Sequence, residues 1–264
     1  MKEQSLSALI NQKSIQFLFK IFENASKEIC LVGGCIRDAL LNKETRDIDL
    51  ATNATPNVII QILSKNNLRY EDYAYRYGSI TTFIEGQKFQ ITSLREDINQ
   101  LGRHTNIIYT NDWEKDAARR DFTINAMYLT SNGKLKDYFN GQEDLIDNTI
   151  RFIGNIEDSI QEDFLRIFRY YRFLGIFAEP NLIREYNKIL HKYFIKSFDF
   201  LSNDLMRQEI LKMFHTSFPI NSFFNMNNKI EKKYWIELIC KHFIKTKYEI
   251  GLNKCLNKID LLIN

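Results

Sequence analysis

Proline is scarce in this chain, three residues in 264, and no Pro/Gly/Ser-rich linker separates autonomous pieces. Long apolar runs are missing too. Nothing approaches the ~20 consecutive apolar residues that a membrane-spanning helix needs. The N-terminal MKEQSLSALINQKSIQFLFK has neither an unbroken apolar centre nor a small-residue cleavage site. No secretory leader and no membrane partner are therefore expected. The four cysteines, Cys30, Cys35, Cys240 and Cys255, form no C-x-x-C pair and no metal-ligand spacing. They read as reduced thiols of a cytoplasmic protein. A strong charge imbalance is also lacking: 36 basic residues face 33 acidic ones, a net +3.

That near-balance hides an asymmetry. Residues 181–264 carry 14 Lys and Arg against 8 Asp and Glu, whereas residues 1–180 carry 22 against 25. An acidic first half and a basic second half fit metal held at one end and nucleic-acid backbone at the other. On charge alone, a solvated lysine-rich helical face fits as well. With 44% hydrophobic and 26% charged residues, the chain has the composition of a helix-rich globular protein able to bury a core.

The apolar spacing sorts the chain into an α+β first half and an all-α second half. Residues 6–22 read as one leading helix, Ile29–Val32 as a strand, and 36–41 as a short helix. Thr55-Pro56 is a cap followed by proline at the first helical position, opening a helix to Lys65. Strands are expected over 68–73, Ser79–Ile84 and 88–93, the last two joined at Gly86-Gln87. Residues 94–111 are long and polar and read as a mobile loop. A further strand is expected over 125–130, with Asn132-Gly133 as its turn. After Asp158 the pattern is helical: 161–176, 182–196, 204–214 and 229–245.

Residues 31–52, LVGGCIRDALLNKETRDIDLAT, are the most telling stretch. Gly33-Gly34 stand at a strand-to-helix turn, where backbone N–H groups can approach an anion and the helix dipole favours it. Asp47 and Asp49 alternate with apolar residues, so in a strand both carboxylates share a face. Two adjacent carboxylates repel, and a divalent cation relieves them. Hard oxygen ligands of this kind suit Mg²⁺ carrying a triphosphate. Either piece alone is weak, since a Gly-Gly is usually a plain turn and a D-x-D usually a solvated one.

Three more stretches stand out. Residues 119–126 read RRDFTINA. Residues 137–145, DYFNGQEDL, precede IRFIG at 150–154. Residues 162–173, EDFLRIFRYYRF, place Asp163, Arg166, Arg169 and Arg172 three apart, on one stripe of a helix. Taken alone, that stripe is an acidic-to-basic helix stabilised by its own dipole and its i,i+3 pairs.

Together these stretches resemble the bacterial class II CCA-adding tRNA nucleotidyltransferases and their poly(A) polymerase relatives. Residues 33–38 match G-G-x-x-R-D, residues 47–49 match D-x-D, and residues 119–126 match the second motif residue for residue. Residues 137–145 resemble the hinge between head and neck, and residues 162–166 the E-D-x-x-R element. The resemblance covers residues 25–215. It implies a polymerase-beta-like nucleotidyltransferase head over 1–150 and a helical neck for base recognition over 151–215. Residues 216–264 match no segment of the family and read as a helical C-terminal segment, a candidate truncated RNA-binding body.

The implied roles follow from the matched positions. Asp47 and Asp49 are the catalytic carboxylates and hold Mg²⁺. Gly34 and Arg37 hold the triphosphate with Arg120, whose planar guanidinium suits phosphate oxygens. Asp163 and Arg166, with Arg169 and Arg172, bind and select the base of CTP or ATP: Asp accepts from an exocyclic amino group and Arg donates to ring nitrogen or carbonyl. The loop over 95–104 takes part in switching from C to A addition. The implied reaction is template-independent extension of an RNA 3′ end, foremost the CCA end of tRNA.

The chain departs from the family pattern in places. Gln90 stands where F-E-V-T-T has its glutamate, which leaves Asp121 or water as the third metal ligand. Asp204-Leu205 replace the usual Glu-Arg of the neck segment 201–214. Residues 71–81, EDYAYRYGSIT, lack the L-V-G-R-R-F-x-x-x-H of many poly(A) polymerases and favour the tRNA-type reading. Poly(A) addition, CC-only or A-only addition, and a non-catalytic RNA-binding remnant are the alternatives; the last is disfavoured because D-x-D, RRDFTINA and E-D-x-x-R are all intact.

Overall fold

The run Ile-Cys-Leu-Val forms strand β1 (Ile29–Val32), buried along its whole length in the computed structural model. The structure describes residues 2–45, 47–101 and 104–224. These residues divide into two compact units. One comprises Met1–Ile146 with Arg151–Gly154; the other comprises Asp147–Ile150 and the chain from Asn155. Among the described residues no helix is long and apolar enough to cross a membrane.

Before β1 come two helices rather than one, α1 (Lys2–Ile10) and α2 (Lys13–Asn24). The expected single helix over 6–22 breaks because Gln12 is extended, at φ −61° and ψ 130°. The break lets α2 lie on β1, burying Ile15, Leu18, Phe19 and Phe22, while α1 lies on α3 (Gly34–Leu40). One straight helix could not reach both. After α3 the chain runs through β2 (Ile48–Thr52), α4 (Pro56–Lys65), β3 (Tyr70–Glu71), β4 (Ser79–Ile84) and β5 (Gln87–Ser93). Thr55 takes the extended cap position of α4, but its side chain makes no capping hydrogen bond.

The β4–β5 turn lies one residue earlier than the sequence suggests. Ile84 pairs with Gln87, and Glu85 and Gly86 carry positive φ, 51° and 80°. Two left-handed residues give the hairpin turn whose twist matches its strands. Next come β6 (Arg95–Leu101), β7 (His104–Tyr109) and α5 (Trp113–Ala118), then β8 (Met127–Leu129), β9 (Leu135–Asp137) and α6 (Gly141–Ile146). The main sheet has the order β3-β4-β5-β2-β1-β8-β9, with β2 and β5 parallel and the other pairs antiparallel. It is a mixed sheet with helices, the polymerase-beta-like α+β head.

The polar loop expected over 94–111 is instead an antiparallel hairpin, β6 against β7. Its strands pair with each other and not with the main sheet. Ile98, Ile108 and Tyr109 are exposed. The polar stretch carries no run of apolar alternation, the signal on which a strand assignment rests.

The second unit is helical: α7 (Ile156–Glu162), α8 (Leu165–Leu174), α9 (Tyr186–Ser197), α10 (Asn203–Phe214) and α11 (Pro219–Phe224). Its core includes Ile160, Ile167, Phe168, Leu174, Leu190, Phe194, Met206 and Met213. Fully burying one such side chain contributes roughly 1.5–3 kcal/mol. The expected helix over 161–176 is interrupted at Asp163, which is extended at φ −149° and ψ 104°. Its Oδ1 accepts from the Leu165 amide at 3.0 Å, a local bond that competes with continued helix. The helix expected over 182–196 starts later, at Tyr186. The one expected over 229–245 lies outside the described residues, as do Cys240 and Cys255.

Candidate active site

The glycine turn comes first. Gly33 adopts φ 75° and ψ −125°, a region open to glycine alone. Its carbonyl accepts from the amides of Ile36 and Arg37, both at 3.2 Å, closing the first turn of α3. Helix α3 has only seven residues, so the arginines around the turn, more than a helix dipole, supply its positive charge. A Cβ on Gly33 would lie 3.5 Å from the Asn125 carbonyl and 3.7 Å from Arg120 Nη1. One on Gly34 would lie 3.5 Å from Arg37 Nη2.

Both arginines are held from behind. Arg37 Nη1 donates to Asn125 Oδ1 at 2.7 Å, and its Nε donates to Asp38 at 2.9 Å. Asn125 is itself oriented by Asp121, whose Oδ1 accepts Asn125 Nδ2 at 3.1 Å and the Phe122 amide at 2.8 Å. Arg120 donates from Nε to the Tyr128 hydroxyl at 3.2 Å and from Nη2 to Asp116 Oδ2 at 3.1 Å. The stretch RRDFTINA thus forms a turn that aims two guanidiniums. Asp121, which the sequence offers as a third carboxylate, spends its Oδ1 on that turn.

Asp47 lies immediately before β2 and is exposed; Asp49, the second residue of the strand, is half-buried. Burial pushes the Asp49 carboxyl above the ordinary aspartate range. Arg120 opposes that most strongly, Asp47 reinforces it, and Lys88 and Arg37 oppose it. Arg37, Arg120, Asp47 and Asp49 therefore share one electrostatic neighbourhood. In the parallel β2–β5 register, Gln90 stands beside Asp49. Among the described residues no group of three His, Cys, Asp or Glu side chains forms a metal cage. A pair of carboxylates with water fits Mg²⁺, which keeps several waters and binds through one or two carboxylates plus substrate phosphates.

Some residues important to this site carry no assignment from the sequence. Asp116 is fully buried and bonds to Arg119, Arg120 and Tyr128. The signal for it was spacing: an acid three and four residues before two arginines. Asp137 caps α6 by accepting from the amides of Gly141 and Gln142, each at 2.9 Å. Asp144 accepts from Thr123 Oγ1 at 2.6 Å and from Arg151 Nε at 3.0 Å. The DYFNGQEDL stretch is thereby a clasp on the arginine turn. The buried thiols of Cys30 and Cys35 are pushed up to about 12 by desolvation and take no part.

In the helical unit, Asp163 precedes α8 while Arg166, Arg169 and Arg172 lie along it. The four therefore do not form one continuous helical stripe. Arg166 is buried and donates from Nη1 to Ser159 Oγ at 2.7 Å and Glu162 Oε2 at 2.8 Å. Arg172 donates to Glu209 Oε2 at 2.7 Å. Burial would raise the Glu209 carboxyl, but Arg172, Lys212 and Arg169 outweigh it and hold the group below the ordinary range. Glu209 lies in the neck segment, where the sequence suggests only a structural role.

Residues 29–151 match the family model for the poly(A) polymerase head domain. The chain is 42% identical over 164 residues to the human mitochondrial CCA tRNA nucleotidyltransferase 1, covering 62% of this chain and 38% of that protein. The CCA-adding enzyme of Lactobacillus johnsonii is 32% identical over 204 residues, covering 74% of this chain and 48% of that enzyme. The crystal structure of the Bacillus stearothermophilus CCA-adding enzyme in complex with CTP superposes with a TM-score of 0.69 at 24% identity, covering 79% of this chain and 49% of that one. That last likeness is one of fold. The chain spans less than half the length of the two curated relatives.

Proposed function

We infer that this protein transfers CMP and AMP from CTP and ATP to the 3′-OH of an RNA, adding or repairing the CCA end of tRNA. The observation that carries the reading is the convergence of Asp47, just before β2, and Asp49, on it, with two back-anchored arginines at a glycine turn. The names of the human and L. johnsonii relatives support it. Arg37 and Arg120 bind and orient the triphosphate. Asp47 and Asp49 hold divalent cations, which we assign as Mg²⁺. Bound there, the metal would activate the primer hydroxyl and neutralise charge on the triphosphate and the leaving pyrophosphate. Residues 1–150 are the catalytic head and 151–215 the base-recognising neck. There Asp163 and Arg166 read the base edge, with Glu162 and Ser159 fixing the arginine and Glu209 fixing Arg172.

The test is incubation of the full chain with tRNA ending at the discriminator base, at C or at CC, with each labelled nucleoside triphosphate and Mg²⁺. Sequencing of the products should show CCA. Runs of A, or addition of only C or only A, would replace this reading with one of its alternatives. No incorporation on any primer would refute it.

A further inference from the structure

A single buried carboxylate lies between the nucleotide arginine and the root of the β6–β7 hairpin. Asp116 has no solvent exposure. Its Oδ1 accepts from Arg119 Nε at 2.9 Å, from Arg119 Nη2 at 2.7 Å, and from the backbone amide of Arg95 at 3.2 Å. Its Oδ2 accepts from the Tyr128 hydroxyl at 2.6 Å and from Arg120 Nη2 at 3.1 Å. Tyr128 is buried, packs edge-on against Trp113 at 5.2 Å, and places its ring 5.3 Å from the Arg120 guanidinium. Two of the three guanidinium nitrogens of Arg120, Nε and Nη2, are thus fixed from the core side. The third, Nη1, is the one at the Gly33 turn.

The charges in this cluster do not cancel: one carboxylate faces two guanidiniums. Asp116 therefore orients Arg120 toward the glycine turn, where an anion would be held. Arg95, the first residue of β6, donates its amide to the oxygen that also holds Arg119. The root of the hairpin and the nucleotide arginine therefore share one rigid acceptor.

We propose that Asp116 is a positioning residue: it fixes Arg120 at the glycine turn and couples the β6–β7 hairpin to nucleotide binding. The proposal rests on the nucleotide-site reading above. It makes hairpin order and triphosphate affinity reciprocal, because whatever holds the Arg95 amide on Asp116 also holds the geometry of Arg120.

The experiment is a double-mutant cycle on the full chain, with CTP affinity measured by calorimetry in Mg²⁺ for wild type, Asp116→Asn, Arg120→Ala and the pair. Losing a charged hydrogen-bond partner should weaken CTP by about tenfold in Asp116→Asn. Arg120→Ala should cost at least as much, and the double variant should be no weaker than Arg120→Ala alone. Additive losses, or an Asp116→Asn protein that binds CTP normally, would overturn the positioning role. Wild-type affinity in Arg120→Ala would instead overturn the nucleotide-site reading, and the proposal with it. If Asp116→Asn does not fold by circular dichroism, Tyr128→Phe takes its place in the cycle with the same criteria. Hydrogen exchange at the Arg95 amide tests the coupling. CTP should slow it in the wild type and leave it unchanged in Asp116→Asn or Tyr128→Phe; equal slowing in both proteins would overturn the link to the hairpin.

Discussion

At Asp116 burial and pairing pull in opposite directions. Desolvation alone would raise its carboxyl, but Arg120, Arg119 and the Tyr128 hydroxyl together lower it from 3.8 to about 2. A depressed acid contributes stability above its unfolded value and loses it as pH falls through the folded one. Asp116→Asn should therefore cost about 2 kcal/mol at neutral pH. Denaturant melts should show the gap from wild type closing between about pH 4 and pH 2. Asp49 is the reverse case: burial dominates and its carboxyl is raised. Ionised Asp49 is therefore held at some expense to the fold, as suits a ligand kept for chemistry. Asp49→Asn should abolish nucleotide transfer in Mg²⁺. Its unfolding midpoint in chelator should be no lower than that of the wild type. A destabilised variant with residual turnover would remove Asp49 from the metal assignment.

Among the elements, α6 and the break between α7 and α8 make the sharpest demands. A Cβ on Gly141 would lie 2.3 Å from the Thr123 carbonyl oxygen, a backbone atom with no easy retreat. Gly141→Ala should destabilise the head by about 3 kcal/mol, read as a lowered denaturant midpoint, and should weaken CTP binding by loosening the Asp144–Thr123 bond behind the arginine turn. The α7–α8 break bears on the proposed base selection. Because Asp163 is extended and not helical, its carboxylate lies at the entrance of α8, on the Leu165 amide. Asp163→Ala should admit UTP or GTP in single-nucleotide incorporation, at a loss of about 1–3 kcal/mol of discrimination. Equal slowing of all four nucleotides would mean that the aspartate only caps the helix. The sequence places these helices to within a few residues. It cannot place the break, because the bond from Asp163 to the Leu165 amide leaves the apolar period of both flanking helices intact.

For the whole chain, charge is distributed in a way that bears on the proposed RNA partner. Fourteen basic residues against eight acidic ones over 181–264 contrast with 22 against 25 before them. If the basic part neutralises RNA phosphates, the affinity for tRNA should fall at least about tenfold between 50 and 200 mM KCl, from counterion release. Filter binding at several salt concentrations measures this, and a flat dependence would exclude a phosphate-tracking role. CTP affinity should fall less, since its partners in the head are partly buried and screening is weaker there.

The sequence by itself determines the short-range chemistry: the glycine turn, the D-x-D at the start of a strand, and a helical second half. Each is encoded within a few neighbouring residues, by backbone freedom, by alternation or by period. Only the tertiary structure decides which charges pair in the interior. Asp116 meets Tyr128 twelve residues on, and Arg172 meets Glu209 thirty-seven residues on. It also decides that a polar stretch forms a hairpin. Burial gives an ion pair its strength and an aspartate its shifted pKa, and burial is supplied by neighbours far apart in the chain, which no local pattern records.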